Sequence, residues 1–196
     1  LAQEMARQSD GAFDITSGTL TELWDAARAA QYPPTAEEVT AARAHVDWHA
    51  LELRERAADD GEHPEVRLLR AGVKIDRGAL IKGLALDGIA RSWAAGGAVN
   101  ALADLGSSSI LACGVNAEGE PWHIRIRNPR GESRSDLAAA AQLSDAMLST
   151  SGDDERYFRC GGRRYHHLVD PRTGCPAETG LASVTVIPPQ NAMAGT

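Results

Sequence analysis

The sequence has no apolar run that approaches the roughly 20 residues a membrane-spanning helix needs. No positively charged segment followed by an apolar one opens the chain, so no signal sequence is visible. This second absence excludes little, because the first residue is Leu1 rather than methionine. We expect the 196 residues to be the interior of a longer protein.

Cysteine is also scarce, with three residues in the chain: Cys113, Cys160 and Cys175. Their spacing is not that of metal ligands, and their odd number excludes a fully paired disulfide framework within these residues. The cysteines therefore do not distinguish an oxidising compartment from a reducing one.

Positive charge is outnumbered, since the formal net charge is −7 and no basic stripe runs along the sequence. Nucleic-acid binding usually requires such a stripe to displace counterions from phosphates, so we predict no nucleic-acid partner. We interpret the local cluster at positions 125, 127 and 130 as the solvated face of a strand.

The hydrophobic content of 43% and charged content of 24% are ordinary for a soluble globular protein, and the length suits one compact domain. Thr35, followed by acidic residues, predicts the start of a helix that runs to about His45. Apolar spacing predicts a long helix from near Ala79 to Gly96. Mostly short strands follow, and no internal repeat is present. We predict an α+β fold with largely antiparallel sheet and helices concentrated in the first half.

Two hairpins are predicted in this scheme. One joins residues 66–69 to residues 73–75, and the other joins residues 157–160 to residues 163–167 through two glycines. A polar, acidic turn is expected near residues 59–61.

Residues 165–174 combine a proton carrier, a carboxylate, a cation and a rigid turn in ten positions. His167 has the side chain whose ordinary pKa is closest to neutrality, and Asp170 and Pro171 begin turn chemistry that ends a strand. Taken alone, the segment fits two interpretations equally well. It could be the edge of a functional site, or it could be the end of a hairpin whose polar groups are satisfied locally.

Residues 76–87 form a second candidate site. A strand that ends at Asp76 and opens a helix presents backbone N–H groups and a positive dipole end, which suit a phosphate or another anion. Lys82 is unfavourable in the first helical turn, so we expect a negative group to compensate it. The alternative is that Asp76 caps the helix and Lys82 extends into solvent. The spacing is not that of a P-loop.

Two further segments are weaker candidates. Residues 149–153 form a hydroxyl-rich strand end that could donate hydrogen bonds to a ligand, although turn satisfaction explains it nearly as well. Phe13 beside Asp14 could hold a ligand with a ring and a ribose, or could simply begin a helix.

Taken together in their order along the chain, the four segments resemble the ApbE family, also called the FAD:protein FMN transferase family. The family pattern G-[AM]-[FY]-D-x-T-x-G-x-L followed by Trp is matched by residues 11–20 with Trp24. The pattern D-L-G-G-I-A-K-G-x-A-x-D is similar to residues 76–87. The patterns T-S-G-D-Y-E-R and H-I-x-D-P-R-T-G-x-P are similar to residues 150–156 and 167–176. The resemblance covers nearly the whole chain and implies a single ApbE-like domain over residues 1–196, truncated at both ends.

The resemblance implies an enzyme that cleaves the pyrophosphate of FAD and transfers the FMN moiety to a Thr or Ser hydroxyl of an acceptor protein. AMP leaves, and Mg²⁺ is required. The same site would hydrolyse FAD to FMN and AMP if water replaced the acceptor, and a non-catalytic FAD-binding protein is a third hypothesis. Family members are commonly exported and lipid-anchored, so the resemblance implies an extracytoplasmic location with any membrane anchor outside these residues.

The resemblance also implies residue roles. The catalytic base would be His167, with Asp170 in the same cleft. Arg172 could assist phosphate binding, although an arginine in a turn is more often a local structural tie. The residues implied to contact FAD are Ala12, Phe13, Asp14, Asp76, Lys82 and Val169. The metal would be held by the carbonyl of Ala79 and by Thr196.

The chain departs from the family pattern at several positions. Ser107 and Ser108 follow Gly106 where the family often has G-G-D, so hydroxyls replace a charge. Asp154 replaces the family Tyr. In the motif N-A-M-L-A-D-A-L-A-T, Thr196 falls at the Asp position, and a neutral hydroxyl is a poorer Mg²⁺ ligand than a carboxylate. We expect the family's second metal ligand and its N-terminal FAD-enclosing segment to lie outside the chain.

Overall fold

The computed structural model of the chain describes residues 1–54, 65–133 and 135–188. The helices among these residues are α1 (Ala2–Gln8), α2 (Gly18–Ala30), α3 (Ala36–Arg43) and α4 (Gly78–Gly96), with a short 3₁₀ helix at Trp48–Ala50. All of them lie in the first half of the chain, as predicted. The acidic turn expected near residues 59–61 lies outside the described residues.

The strands are short and are joined by antiparallel ladders. Their bounds are β1 (Leu51–Arg54), β2 (Glu65–Leu68), β3 (Ala101–Asp104), β4 (Ser109–Cys113), β5 (Trp122–Arg127), β6 (Leu137–Leu143), β7 (Ala146–Gly152), β8 (Tyr157–Cys160), β9 (Arg163–His166), β10 (Val169–Asp170), β11 (Cys175–Pro176) and β12 (Ser183–Val186). One sheet has the strand order β12-β7-β4-β3, and the other ladders are β1-β2, β5-β6, β8-β9 and β10-β11. The α+β class with largely antiparallel pairing is therefore confirmed.

The chain divides into two compact units. Unit 1 contains Leu1–Arg77 and Arg156–Glu178, and unit 2 contains Gly78–Glu155 and Thr179–Thr196. The interpretation of residues 1–196 as one domain stays a prediction. Among the described residues, no helix combines the length and the apolar character that crossing a bilayer requires.

The core of unit 1 forms where α2 meets the β8-β9 hairpin. Trp24, Ala27 and Phe158 are buried together, and the indole N–H of Trp24 donates to the carbonyl oxygen of Gly174 at 2.8 Å. Gly174 has a φ of +75°, and a Cβ at this position would lie 2.9 Å from Val39. Only glycine fits there without displacement, so the turn that follows β10 is fixed against the core.

The capping signal at Thr35 is confirmed, whereas the first predicted hairpin is wrong. The Thr35 hydroxyl accepts from the backbone N–H of Glu38, and the Glu38 carboxylate accepts from that of Thr35, which is a capping box. Strand β2 pairs with β1 rather than with residues 73–75. The chain after Gly72 docks along the start of α2 instead, where the backbone N–H of Gly18 donates to the carbonyl of Lys74 at 3.1 Å.

Unit 2 has its own apolar cluster beneath β4, β5, β6 and β7. Its buried members are Ile110, Ala112, Ile124, Leu143, Ala146 and Leu148. Strand β6 was not expected, because its sequence is rich in alanine, which carries little strand signal. It forms through its pairing with β5.

Candidate functional site

His167 follows β9 directly and is half-buried in unit 1. Its backbone N–H donates to the carbonyl of Arg156 at 3.0 Å, which fixes the start of the turn. Its ring atom Nδ1 is buried and has no hydrogen-bond partner among the described residues. Nδ1 of His166 and Nε of Arg28 are buried without a partner in the same way, so this state alone does not mark His167 as reactive.

Burial and neighbouring charges change the pKa of His167. Burial first and the positive charge of Arg156 second lower the pKa of His167 below its ordinary value of 6.5. A hydrogen bond with the backbone of Arg156 and the negative charge of Asp25 raise this pKa, whereas His166 lowers it further. Asp25 accepts two hydrogen bonds from Nη2 of Arg156, at 3.0 and 3.2 Å, so it holds that guanidinium in place. The imidazole is therefore mostly neutral at neutral pH, as a general base must be.

Asp170 is committed to the turn that follows β10. Its carboxylate accepts from Nε and Nη2 of Arg172 at 3.0 and 2.8 Å, and its carbonyl accepts from the backbone N–H of Gly174 at 2.8 Å. The hydrogen bonds from Arg172 lower the pKa of Asp170. The structure thus shows a carboxylate that orients an arginine, while the catalytic role implied for Asp170 stays a prediction.

Asp14 is also engaged by the protein. Its Oδ1 accepts from the backbone N–H and the hydroxyl of Thr16, both at 2.7 Å, and its Oδ2 accepts from the backbone N–H of Trp48 at 3.1 Å. With 7% of its surface exposed, Asp14 joins the segment before α2 to the 3₁₀ helix. Of its neighbours, Ala12 is exposed and Phe13 is half-buried, so these two offer more accessible surface to a ligand.

A cleft of about 390 Å³ lies within unit 1, between the segment at residues 11–14 and the turn after β10. It is lined by Gly11, Asp14, Arg43, Ala44, Val46, Asp47, Trp48, His49, Pro171 and Arg172. The cleft brings together two of the four predicted segments. It also contains a wall at residues 43–49 that the sequence interpretation missed.

The missed wall carries an aromatic ring pair. The rings of Trp48 and His49 stack with centroids 3.8 Å apart, and the Asp47 carboxylate accepts from Nη1 of Arg70 at 3.0 Å. Burial alone would raise the pKa of Asp47, but hydrogen bonds from His49 and Arg70 lower it overall. A Trp beside an Asp and a His in the sequence was the available signal for this wall.

Asp76 and Val169, both in unit 1, have structural contacts. The Thr21 hydroxyl donates to Oδ2 of Asp76 at 2.6 Å, and the backbone N–H of Asp76 donates to the carbonyl of Ile15 at 2.8 Å. Val169 lies in β10, half-buried against the apolar core of unit 1. The predicted FAD contacts of both residues stay predictions.

Lys82 lies in unit 2, in the first turns of α4, and its Nζ donates to Oγ of Ser108 at 2.7 Å. The loop that presents Ser108 contains Ser107 at a φ of +60°, held by a hydrogen bond of 2.6 Å from its N–H to Oδ1 of Asp104. A negative partner was expected for Lys82, and the structure supplies a neutral hydroxyl. The cation is therefore positioned without being neutralised by this contact.

The acidic turn at residues 153–155 of unit 2 is neutralised by two arginines. Arg130 forms a bidentate pair with Asp153 at 2.6 and 2.5 Å, and Nη2 of Arg127 donates to Asp154 at 2.6 Å and to Glu155 at 3.0 Å. Two of the arginines interpreted as a solvated strand face therefore hold the end of β7. That interpretation was wrong for Arg127 and Arg130.

The described residues do not complete a magnesium site. Ala79 is exposed at the start of α4 in unit 2, and its carbonyl is the kind of hard oxygen that Mg²⁺ accepts. Thr196 lies outside the described residues. In the described ranges, no group of three or more His, Cys, Asp and Glu side chains could hold a metal ion.

The family model described as ApbE family matches residues 1–196. The chain belongs to the ApbE family. An ApbE relative from Treponema pallidum, named FAD:protein FMN transferase, is 32% identical over 194 residues, which are 95% of this chain and 53% of the relative. A relative of the same name from Salmonella typhimurium is 32% identical over 190 residues, with 96% and 53% covered.

The fold comparison agrees with the sequence comparison. The crystal structure of the ApbE protein from Thermotoga maritima superposes with a TM-score of 0.76 at 37% identity, over 95% of this chain and 57% of that one. The chain thus spans about half the length of the curated ApbE relatives it matches.

Proposed function

We propose that this ApbE-family chain transfers the FMN moiety of FAD to a side-chain hydroxyl of an acceptor protein. Its relatives are named for that reaction. The observation that carries the proposal is the state of His167, which is half-buried, has a lowered pKa and has a ring nitrogen without a protein partner. A neutral imidazole in that state is suited to accept the proton of an attacking hydroxyl.

In the proposed reaction, the acceptor oxygen attacks the FMN-side phosphorus of the pyrophosphate. A new phosphorus–oxygen ester bond forms as the bond from that phosphorus to the bridging oxygen breaks. The hydroxyl proton goes to the His167 imidazole, and AMP leaves with the bridging oxygen. Charge builds up on the phosphate oxygens, so cations near them accelerate the step.

The cleft in unit 1 supports binding of part of the FAD molecule there. Its volume of about 390 Å³ lies within the range typical of ligand pockets. Trp48 offers an aromatic ring, and the guanidinium groups of Arg43 and Arg172 offer positive charge at the cleft wall. The FAD contact of Lys82, which lies in unit 2 and is held by Ser108, is proposed on the family resemblance alone.

We propose Mg²⁺ as the metal requirement on the strength of the family resemblance. Treatment with EDTA should abolish transfer, and added Mg²⁺ should restore it. Full activity after exhaustive chelation would remove the metal from the proposal.

An extracytoplasmic location is proposed on the same family resemblance. Fractionation of cells producing the full-length protein should recover it outside the cytoplasm. Recovery with cytoplasmic markers alone would contradict this part of the proposal.

The decisive test of the function supplies the full-length protein with FAD, Mg²⁺ and an acceptor bearing a Ser/Thr-Gly-Ala-Ser/Thr motif. Flavin fluorescence should remain on the acceptor after denaturing electrophoresis, and AMP should accumulate in equal amount. FMN and AMP released without labelling of the acceptor would indicate FAD hydrolysis instead. FAD recovered unchanged would indicate a binding protein.

A further inference from the structure

The β8-β9 hairpin of unit 1 presents two different faces. The register pairs Phe158 with Tyr165 on the inner face, where their rings stack with centroids 5.1 Å apart. Phe158 is buried in the unit 1 core, so this face anchors the hairpin. Because side chains alternate along a strand, the neighbouring positions form the outer face.

The outer face places like charges opposite each other. Arg159 is directly opposite Arg164, and Tyr157 is directly opposite His166. The guanidinium of Arg164 lies over the Tyr157 ring, 4.0 Å from its centroid. Like charges directly opposite each other on antiparallel strands destabilise the sheet, so this arrangement opposes the stability of the hairpin.

The hairpin is also basic within an acidic chain. Residues 156–167 contain four arginines and no Asp or Glu, whereas the whole chain has a formal charge of −7. Arg156 pairs with Asp25, and Arg163 pairs with Glu178. Arg159 is exposed and forms no ion pair with any described residue. Its positive charge is therefore available to a partner.

We propose that this outer face, defined by Tyr157, Arg159 and Arg164, is the docking surface for an acidic segment of the acceptor protein. The inference rests on the proposed function, because it identifies the chemistry of the acceptor. His167 comes directly after the last residue of β9. An acidic segment bound along the hairpin would therefore carry the neighbouring hydroxyl towards the proposed base, and its charge would speed the encounter.

The small size of the surface favours a protein segment over a membrane. Anionic lipids are typically recognised by clusters of about four to eight Lys or Arg side chains, and only two arginines project from this face. A tyrosine beside the arginines is instead characteristic of protein interfaces, where Tyr and Arg are enriched.

The first experiment measures binding of two fluorescein-labelled peptides to the full-length protein by anisotropy. Both contain Ser-Gly-Ala-Thr, one preceded by four glutamates and the other by four glutamines. We expect the glutamate peptide to bind at least about fivefold tighter at low salt, with the difference decreasing as salt rises. Equal affinities for the two peptides would overturn the proposal.

The second experiment separates docking from stability. Arg159→Glu places a carboxylate opposite Arg164, so the variant should be at least as stable to urea as the parent protein while losing the preference for the glutamate peptide. The double variant Arg159→Glu, Arg164→Glu should also lose it. Arg125→Glu is the matched control, because Arg125 is exposed on β5 in unit 2 and faces Ala140. It should keep the preference.

The remaining outcomes are also informative. Equal losses in Arg125→Glu and Arg159→Glu would show a general charge effect and overturn the docking surface. If Arg159→Glu lost binding to vesicles containing phosphatidylserine but bound both peptides as the parent protein does, the proposal would be overturned. The face would then be assigned to a membrane. Peptide preference without transfer of FMN to any acceptor would leave the surface in place and reject the proposed function.

Discussion

In unit 1, Asp14 is buried and His167 is half-buried, yet the two side chains differ in whether their polar atoms have hydrogen-bond partners. Both carboxylate oxygens of Asp14 accept hydrogen bonds from the protein, whereas Nδ1 of His167 is buried without a partner in the described part of the chain. Both residues belong to segments that resemble family motifs. Motif membership therefore does not separate residues that hold the fold from residues that are available for chemistry, and the hydrogen bonds of each residue have to be compared.

The largest effect is expected at the unsaturated residue. His167→Ala should decrease the rate of FMN transfer by about 10²- to 10⁴-fold, because a general base is lost, and should change the free energy of unfolding little. His123→Ala is the control, since His123 is exposed on β5 in unit 2. Steady-state transfer and urea unfolding of both variants make the comparison. A His167→Ala variant with parental activity would remove the residue from the mechanism.

Asp14 should show the reverse pattern, with a loss of stability as the primary effect. Asp14→Ala leaves Thr16 and the backbone N–H of Trp48 without their acceptor, and we expect the free energy of unfolding to fall by about 2–4 kcal/mol. Asp14→Asn keeps one acceptor oxygen and should recover part of the loss. Urea denaturation measures both variants. Parental stability in Asp14→Ala, with FAD binding lost, would show that the carboxylate serves the ligand instead.

The acidic turn of unit 2 allows the same comparison between neighbouring carboxylates. Asp153 is 7% exposed and holds Arg130 through two hydrogen bonds, whereas Glu155 is exposed and shares Arg127 with Asp154. Asp153→Ala should lower the free energy of unfolding by about 1–3 kcal/mol. Glu155→Ala should lower it by less than about 1 kcal/mol, since exposed ion pairs contribute little. Equal losses in urea denaturation would show that burial does not set the value of these pairs.

The sequence predicted helices α3 and α4 and the positions of the polar segments, because periodicity and capping are local properties of the chain. It did not predict which polar groups are saturated. The partners of Asp14 include the N–H of Trp48, which is 34 residues away, and the partner of Lys82 is Ser108, 26 residues away. It also missed the cleft wall at Trp48 and His49, since a cleft depends on which segments pack together. Strand β6 was missed for the same reason, because its alanines form a strand only through pairing with β5.

The smallest effect is expected from the charges around His167, and its sign follows from the geometry. Arg156 lowers the pKa of His167 and Asp25 raises it, while His166 adds to the lowering. Arg156→Gln removes a positive charge beside the imidazole, so the pKa of His167 should rise. The reaction needs the neutral ring, and the acidic limb of the transfer rate against pH should therefore move to higher pH.

Asp25→Asn should move that limb the other way if Arg156 keeps its position, because a negative charge that favours the imidazolium is lost. Arg159→Ala is the control for removing a positive charge from the same hairpin, and it should leave the limb unchanged. Rate profiles between pH 5 and 8, taken at saturating FAD, measure all three variants. A limb that does not move in Arg156→Gln would show that burial alone sets the pKa of His167. The neutral state of the imidazole would then follow from packing rather than from the Arg156–Asp25 pair.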